Sequence, residues 1–137
     1  MDGDTPRLRA FARRLLAHNT AGGKPGAIKD SENFRVCEKL RGPLSRLAGV
    51  GGFQSLLARA LALAGEEVSW LRGLHVNAKG SLEGLEKLEA KPGSREIAEG
   101  EVVLVSQLLG LLVTFIGPDL TAGLLREIWP KMEDLDI

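Results

Sequence analysis

Between Glu101 and Gly117 the chain reads VVLVSQLLGLLVTFI, residues 102–116, fifteen positions without a charge. About 20 residues are needed to cross a bilayer's hydrocarbon as a helix, so this run is too short to span comfortably. It reads instead as a helix from about Arg95 to Gly117-Pro118, apolar on most sides, which belongs at the centre of a bundle or in an oligomer interface. Placed at 100° per residue, Ser106, Gln107, Gly110 and Thr114 fall within an arc of about 100°, and the rest of the circumference is Leu, Val, Ile and Phe. That arc forms a groove of small residues, suited either to a closely packed helix or to the few polar contacts of an apolar ligand.

The flanking sequence supplies partners of helical period. Leu8, Phe11, Ala12, Leu15 and Leu16 share one face of a helix over about 5–18, with Arg7, Arg9, Arg13 and Arg14 at its margins and back. A basic amphipathic helix of this kind suits a membrane surface, an acidic partner or packing on its own domain. The stretch 21–30, AGGKPGAIKD, reads as a flexible linker. Ser31 is placed to cap a second helix to about Leu40, interrupted by Gly42-Pro43, with a short continuation to Leu47. The turn 48–53, AGVGGF, connects it to a third helix over 53–64, whose alanines suggest an interior position. A last helix opens at Pro118-Asp119, carries Leu120, Leu124 and Ile128 at spacing four with Leu125 and Trp129 beside them, and stops at Pro130. Residues 66–94 predict a small hairpin or extended excursion, with Gly80 supplying a positive φ and strands near 73–77 and 81–84, or alternatively a loose helix over 81–90 from the leucines at spacing three. The expected architecture is therefore all-α: a four- to five-helix bundle with a hairpin-like insertion between the third and fourth helices. In segments, it is a basic helix (1–20), a linker (21–30) and a bundle (31–137).

Composition narrows the chemistry. Net charge is zero, yet residues 1–65 hold 11 Lys/Arg against 5 Asp/Glu, and 66–137 hold 7 against 13. Opposite fields of this kind favour docking of the two halves. A neutral total disfavours nucleic acid, which demands several uncompensated phosphate contacts. Cys37 is the sole cysteine, reads as a small buried hydrophobe, and excludes an internal disulfide, which suits a reducing, bacterial cytoplasmic setting. No secretory signal is visible, because the Arg-rich amino terminus lacks an apolar core. Two histidines and one cysteine do not make a zinc site, no nucleophile–base set can be singled out, and no cofactor is implied.

One local string, His75-Val-Asn-Ala-Lys79-Gly80-Ser81, resembles the phosphoacceptor signature of histidine phosphotransfer domains. That resemblance implies a phosphoacceptor role for His75 and a charge-partner role for Lys79. It covers seven residues, places Lys79 one position further on than the signature, and lies among Gly73, Asn77 and Gly80, which disfavour a helix.

The function expected from these features is a non-enzymatic interaction or regulatory module that self-associates. Its contacts would come from Leu8, Phe11, Leu15, Arg7, Arg13 and Arg14 at one end and the tail residues Leu135 and Ile137 at the other. The alternative is a helical sensor for a small apolar ligand, held at Ser106, Gln107, Gly110 and Thr114. The partner is a protein, a second copy included, with no transmembrane span.

Overall fold

The structure is a computed structural model that describes residues 6–20, 35–88 and 92–129. Its described elements are α1 (Pro6–Thr20), α2 (Arg35–Glu67), an antiparallel hairpin of β1 (His75–Val76) and β2 (Leu82–Glu83), α3 (Ser94–Ile116) and α4 (Pro118–Ile128), with 3-10 turns at Ser69–Gly73 and Leu85–Lys87. The fold is all-α with one very small sheet, inserted between the second and third helices. The linker, Ser31 and the tail lie outside the described residues.

α3 forms the hub, touching α1, α2 and α4. Every residue from Val102 to Gly110, and Leu112, is buried. The sequence suggests an interior position for the whole run 102–116, but its end emerges: Thr114 is exposed and Phe115 is 71% exposed. The α1 stripe packs into the same core: Leu8, Phe11, Ala12 and Leu15 are all buried.

The largest departure from sequence expectation lies in α2. The predicted second helix, its continuation and the third helix join into one helical trace that runs through Gly42-Pro43 and is broken once, at Gly49 (φ 81°, ψ 161°). A proline inside a helix costs about 3 kcal/mol in isolation. Here Leu40 and Leu44 are fully buried on either side of Pro43, and two such side chains, at roughly 1.5–3 kcal/mol each, outweigh it. The second arm, 50–67, is half covered rather than interior: Ala60 and Ala64 are buried, whereas Ala58 and Ala62 face solvent. In α4 the inward stripe is Thr121, Leu125 and Trp129, which leaves Leu120 outside at 62% exposure.

The hairpin pairs His75 with Glu83 and Val76 with Leu82. Gly80 adopts φ +81° at its turn, and a Cβ there would lie 3.0 Å from the Phe53 ring. Asn77 organises the turn, its Oδ1 accepting from the backbone N–H groups of Lys79 (2.9 Å) and Ser81 (3.0 Å). Gln54 donates to the Asn77 carbonyl (2.7 Å) and Arg41 to Ser81 Oγ (3.2 Å). The hairpin thus bonds to both arms of α2 and braces the break at Gly49.

Candidate interaction surface

Gly49 and Gly117 share one backbone conformation. Gly117 (φ 90°, ψ 161°) turns α3 into α4, as Gly49 turns the first arm of α2 into the second. This region of backbone space is almost closed to residues with a Cβ. Leu47 and Phe115 each sit two residues before their glycine, Val50 one after Gly49, and Leu120 three after Gly117. Those four, at 55%, 71%, 51% and 62% exposure, are the large hydrophobics left in solvent among the described residues. Between the corners lies an open groove of about 480 Å³. Leu44, Leu47 and Leu56 line it from α2, Leu112, Phe115 and Ile116 from α3, and Arg59 supplies its charge.

The residues singled out from sequence lie elsewhere. Leu8, Phe11 and Leu15 are buried inside the chain's own core, so they present no face to a partner in this state. Arg13 makes a forked pair with Glu99 of α3, and Arg9 makes another with Glu67 at the end of α2 (2.9 and 2.8 Å). These pairs hold Glu99 and Glu67 below the ordinary carboxylate range, through the hydrogen bonds from Arg13 and Arg9 above all. Arg14 is exposed on the same helix, while the side chain of Arg7 and the residues Leu135 and Ile137 lie outside what is described.

The small-residue stripe is buried at Ser106, Gln107 and Gly110 and exposed at Thr114. Glu99 lies seven residues before Ser106 and eleven before Gly110, hence within about 20° of both on the helix. The helix that grips Glu99 is α1, which places α1 beside the Glu99 end of this side. Ser106 donates its hydroxyl to the Val103 carbonyl (2.9 Å) and Thr114 to that of Gly110 (2.9 Å), which commits both hydroxyls to their own helix. None of Ser106, Gln107, Gly110 and Thr114 lines the apolar groove. The apolar groove opens on the α2 side instead.

His75 stands on a strand, exposed, with Nε2 3.1 Å from Glu83 Oε2. Glu83 is held below its ordinary value by hydrogen bonds from Asn77 and then His75. That is a surface turn network, not the helical phosphoacceptor that the seven-residue string resembles. Cys37 is buried, and desolvation, aided by the charges of Glu101 and Glu38, pushes its thiol far up. It stays protonated and lacks the thiolate that nucleophilic chemistry needs.

Sequence reasoning missed Leu47, Val50, Phe115, Leu120 and Arg59. The available signal was the pair of glycines, each two residues after a large hydrophobe, but nothing along the chain shows that the two corners meet. No family model, curated protein or solved structure matches this chain.

Proposed function

We propose that the chain is a non-enzymatic, self-associating interaction module whose contact face is the apolar tip at Gly49 and Gly117. The carrying observation is that two of the four exposed large hydrophobics, Leu47 and Phe115, line one apolar groove, while Val50 follows Gly49 and Leu120 stands three residues after Gly117. A monomer rarely leaves such a patch uncovered without use. A second copy fits it because hollow and projections lie on the same face. A two-fold interface requires a patch complementary to itself, and Phe115 of one copy can enter the groove of the other. Arg59 in the groove and Asp119 beside Leu120 add opposite charges to the same tip.

Magnitudes set the strength of this pairing. Each partly exposed side chain gains on the order of 1 kcal/mol on full burial. Eight of them across a two-fold interface supply about as much as the association itself costs, some 4–15 kcal/mol. The dimer is therefore weak and concentration-dependent. Light scattering across a dilution series tests it: the wild type should move from dimer to monomer, and Phe115→Asp should remain monomeric throughout. An unchanged series for Phe115→Asp would remove the reading.

Two helices, Val36–Glu67 and Ser94–Ile116, are long and apolar enough to cross a membrane by length and composition alone. The covering of α3 by α1, α2 and α4 supports the interior role over a spanning one. The groove volume, within the roughly 300–1,000 Å³ of small-molecule sites, keeps an apolar-ligand sensor as the second reading, now at the groove rather than at Ser106. Saturable binding of an apolar dye by a strictly monomeric protein, lost in Phe115→Asp, would favour it.

A further inference from the structure

The groove straddles the break in α2. Leu44 and Ala48 line it from the first arm, and Gly52, Ser55, Leu56 and Arg59 from the second. A change in the angle between the arms therefore changes its width. The joint itself is a glycine, which enters and leaves positive φ at little cost, and no atom stands within 4 Å of a Cβ built at Gly49 to wedge it.

The hairpin ties one arm to the other. From the first arm, Arg41 Nη1 donates to Ser81 Oγ (3.2 Å) and to the Lys79 carbonyl (3.4 Å). From the second, Gln54 Nε2 donates to the Asn77 carbonyl (2.7 Å). Between these anchors the turn is cross-braced. The Asn77 N–H donates to the Ser81 carbonyl (2.8 Å), its Oδ1 accepts from Lys79 and Ser81, and its Nδ2 donates to Glu83 (2.8 Å). Gly80 seats the turn against the buried Phe53 ring. Gln54 lies about 150° around its helix from the middle of the face that Gly52, Ser55, Leu56 and Arg59 present to the groove. The hairpin thus holds the second arm from the side away from the groove.

We infer that the hairpin is a strap: by bonding both arms it fixes the angle at Gly49 and keeps the groove shaped for its partner. This rests on the reading of the groove as the contact face. It makes pairing depend on a segment that does not line that face.

Distances between the arms of the full-length protein test it. Cys37 is buried with its thiol protonated, so nitroxides attached at Ser45→Cys and Ala58→Cys report on the two arms, and neither position lines the groove. Labelled chains are diluted into unlabelled ones, so that only distances within a chain are read. Gln54→Ala cuts the strap at the second arm and Arg41→Ala at the first; both side chains are half-buried, and the apolar core is untouched. Each should broaden the distance distribution and weaken dimerisation by about two- to tenfold, the net worth of a hydrogen bond. A link in series is broken by one cut, so the double variant should do no more than the stronger single one, whereas independent sites add. Glu38→Gln, which removes the pairing of Arg41 within its own arm (3.4 Å), should leave both readings as they are.

Unbroadened distances in both single variants would overturn the inference. So would effects that add in the double variant, or a Glu38→Gln protein that behaves like Arg41→Ala. The two readings fail separately. Unbroadened distances beside a Phe115-dependent dimer remove the strap and leave the pairing; broadened, non-additive distances in a protein that is monomeric at every concentration uphold the strap and remove the pairing.

Discussion

Gly49 and Gly117 do different work from the chain's other glycines, because at both the backbone sits at φ near +80 to +90° with ψ 161°. Nothing lies within 4 Å of a Cβ added at either position, so a substitution there tests backbone strain without collision. Gly49→Ala and Gly117→Ala should each cost about 1–3 kcal/mol, read as a lower urea midpoint with an unchanged slope. At the same scale, Glu67 and Glu99 are held below the ordinary carboxylate range by Arg9 and Arg13. A carboxylate with a depressed folded-state value stabilises above its unfolded value, about 4.3, and loses that contribution as pH falls through the folded one. Both pairs are solvent-accessible, so the effect is small and weakens with salt. Glu67→Gln with Glu99→Gln should lower the urea midpoint at neutral pH, and the difference from wild type should shrink on acidification below about pH 4.

Among the elements, α3 was legible because its fifteen uncharged residues leave little alternative to an interior helix, and the hairpin turn because Gly80 offers the positive φ its geometry needs. α2 was not. Gly42-Pro43 is an ordinary stop signal, and only the burial of Leu40 and Leu44 against other parts of the chain overrides it. The inward face of α4 was obscured for a related reason. Leu120, Leu124 and Ile128 make the more apolar repeat, yet Thr121 is buried, its hydroxyl bonded to the Gly117 carbonyl at 2.8 Å; a satisfied polar group can be buried at little cost. The small-residue stripe was expected to take a close neighbour; Ser106 and Gly110 are buried, and Glu99, within about 20° of both, is held by Arg13 of α1. Gly110→Leu should therefore push α1 away and destabilise the fold by about 1–3 kcal/mol, with the largest chemical-shift changes in α1 at Phe11 and Leu15. If those changes fell in α2 instead, the assignment of α1 to this face would be wrong.

At the level of the whole molecule, the sequence asymmetry of charge has a structural counterpart. Basic α1 is pinned by acids from the end of α2 and the start of α3, while basic residues on the first arm of α2 meet Trp129 and Glu127 at the end of α4. The contact face remained hidden because it is assembled from two corners 68 positions apart; each alone looks like an ordinary connection. Only the fold places Leu47 and Phe115 on one groove.

α1 is held at its margins by two solvent-accessible ion pairs, Arg9–Glu67 and Arg13–Glu99, while Leu8, Phe11, Ala12 and Leu15 beneath them are buried. Salt can loosen the margins without wetting the stripe, whereas lifting α1 away would expose all four side chains at once. Departure of this helix and loss of the core are therefore one event.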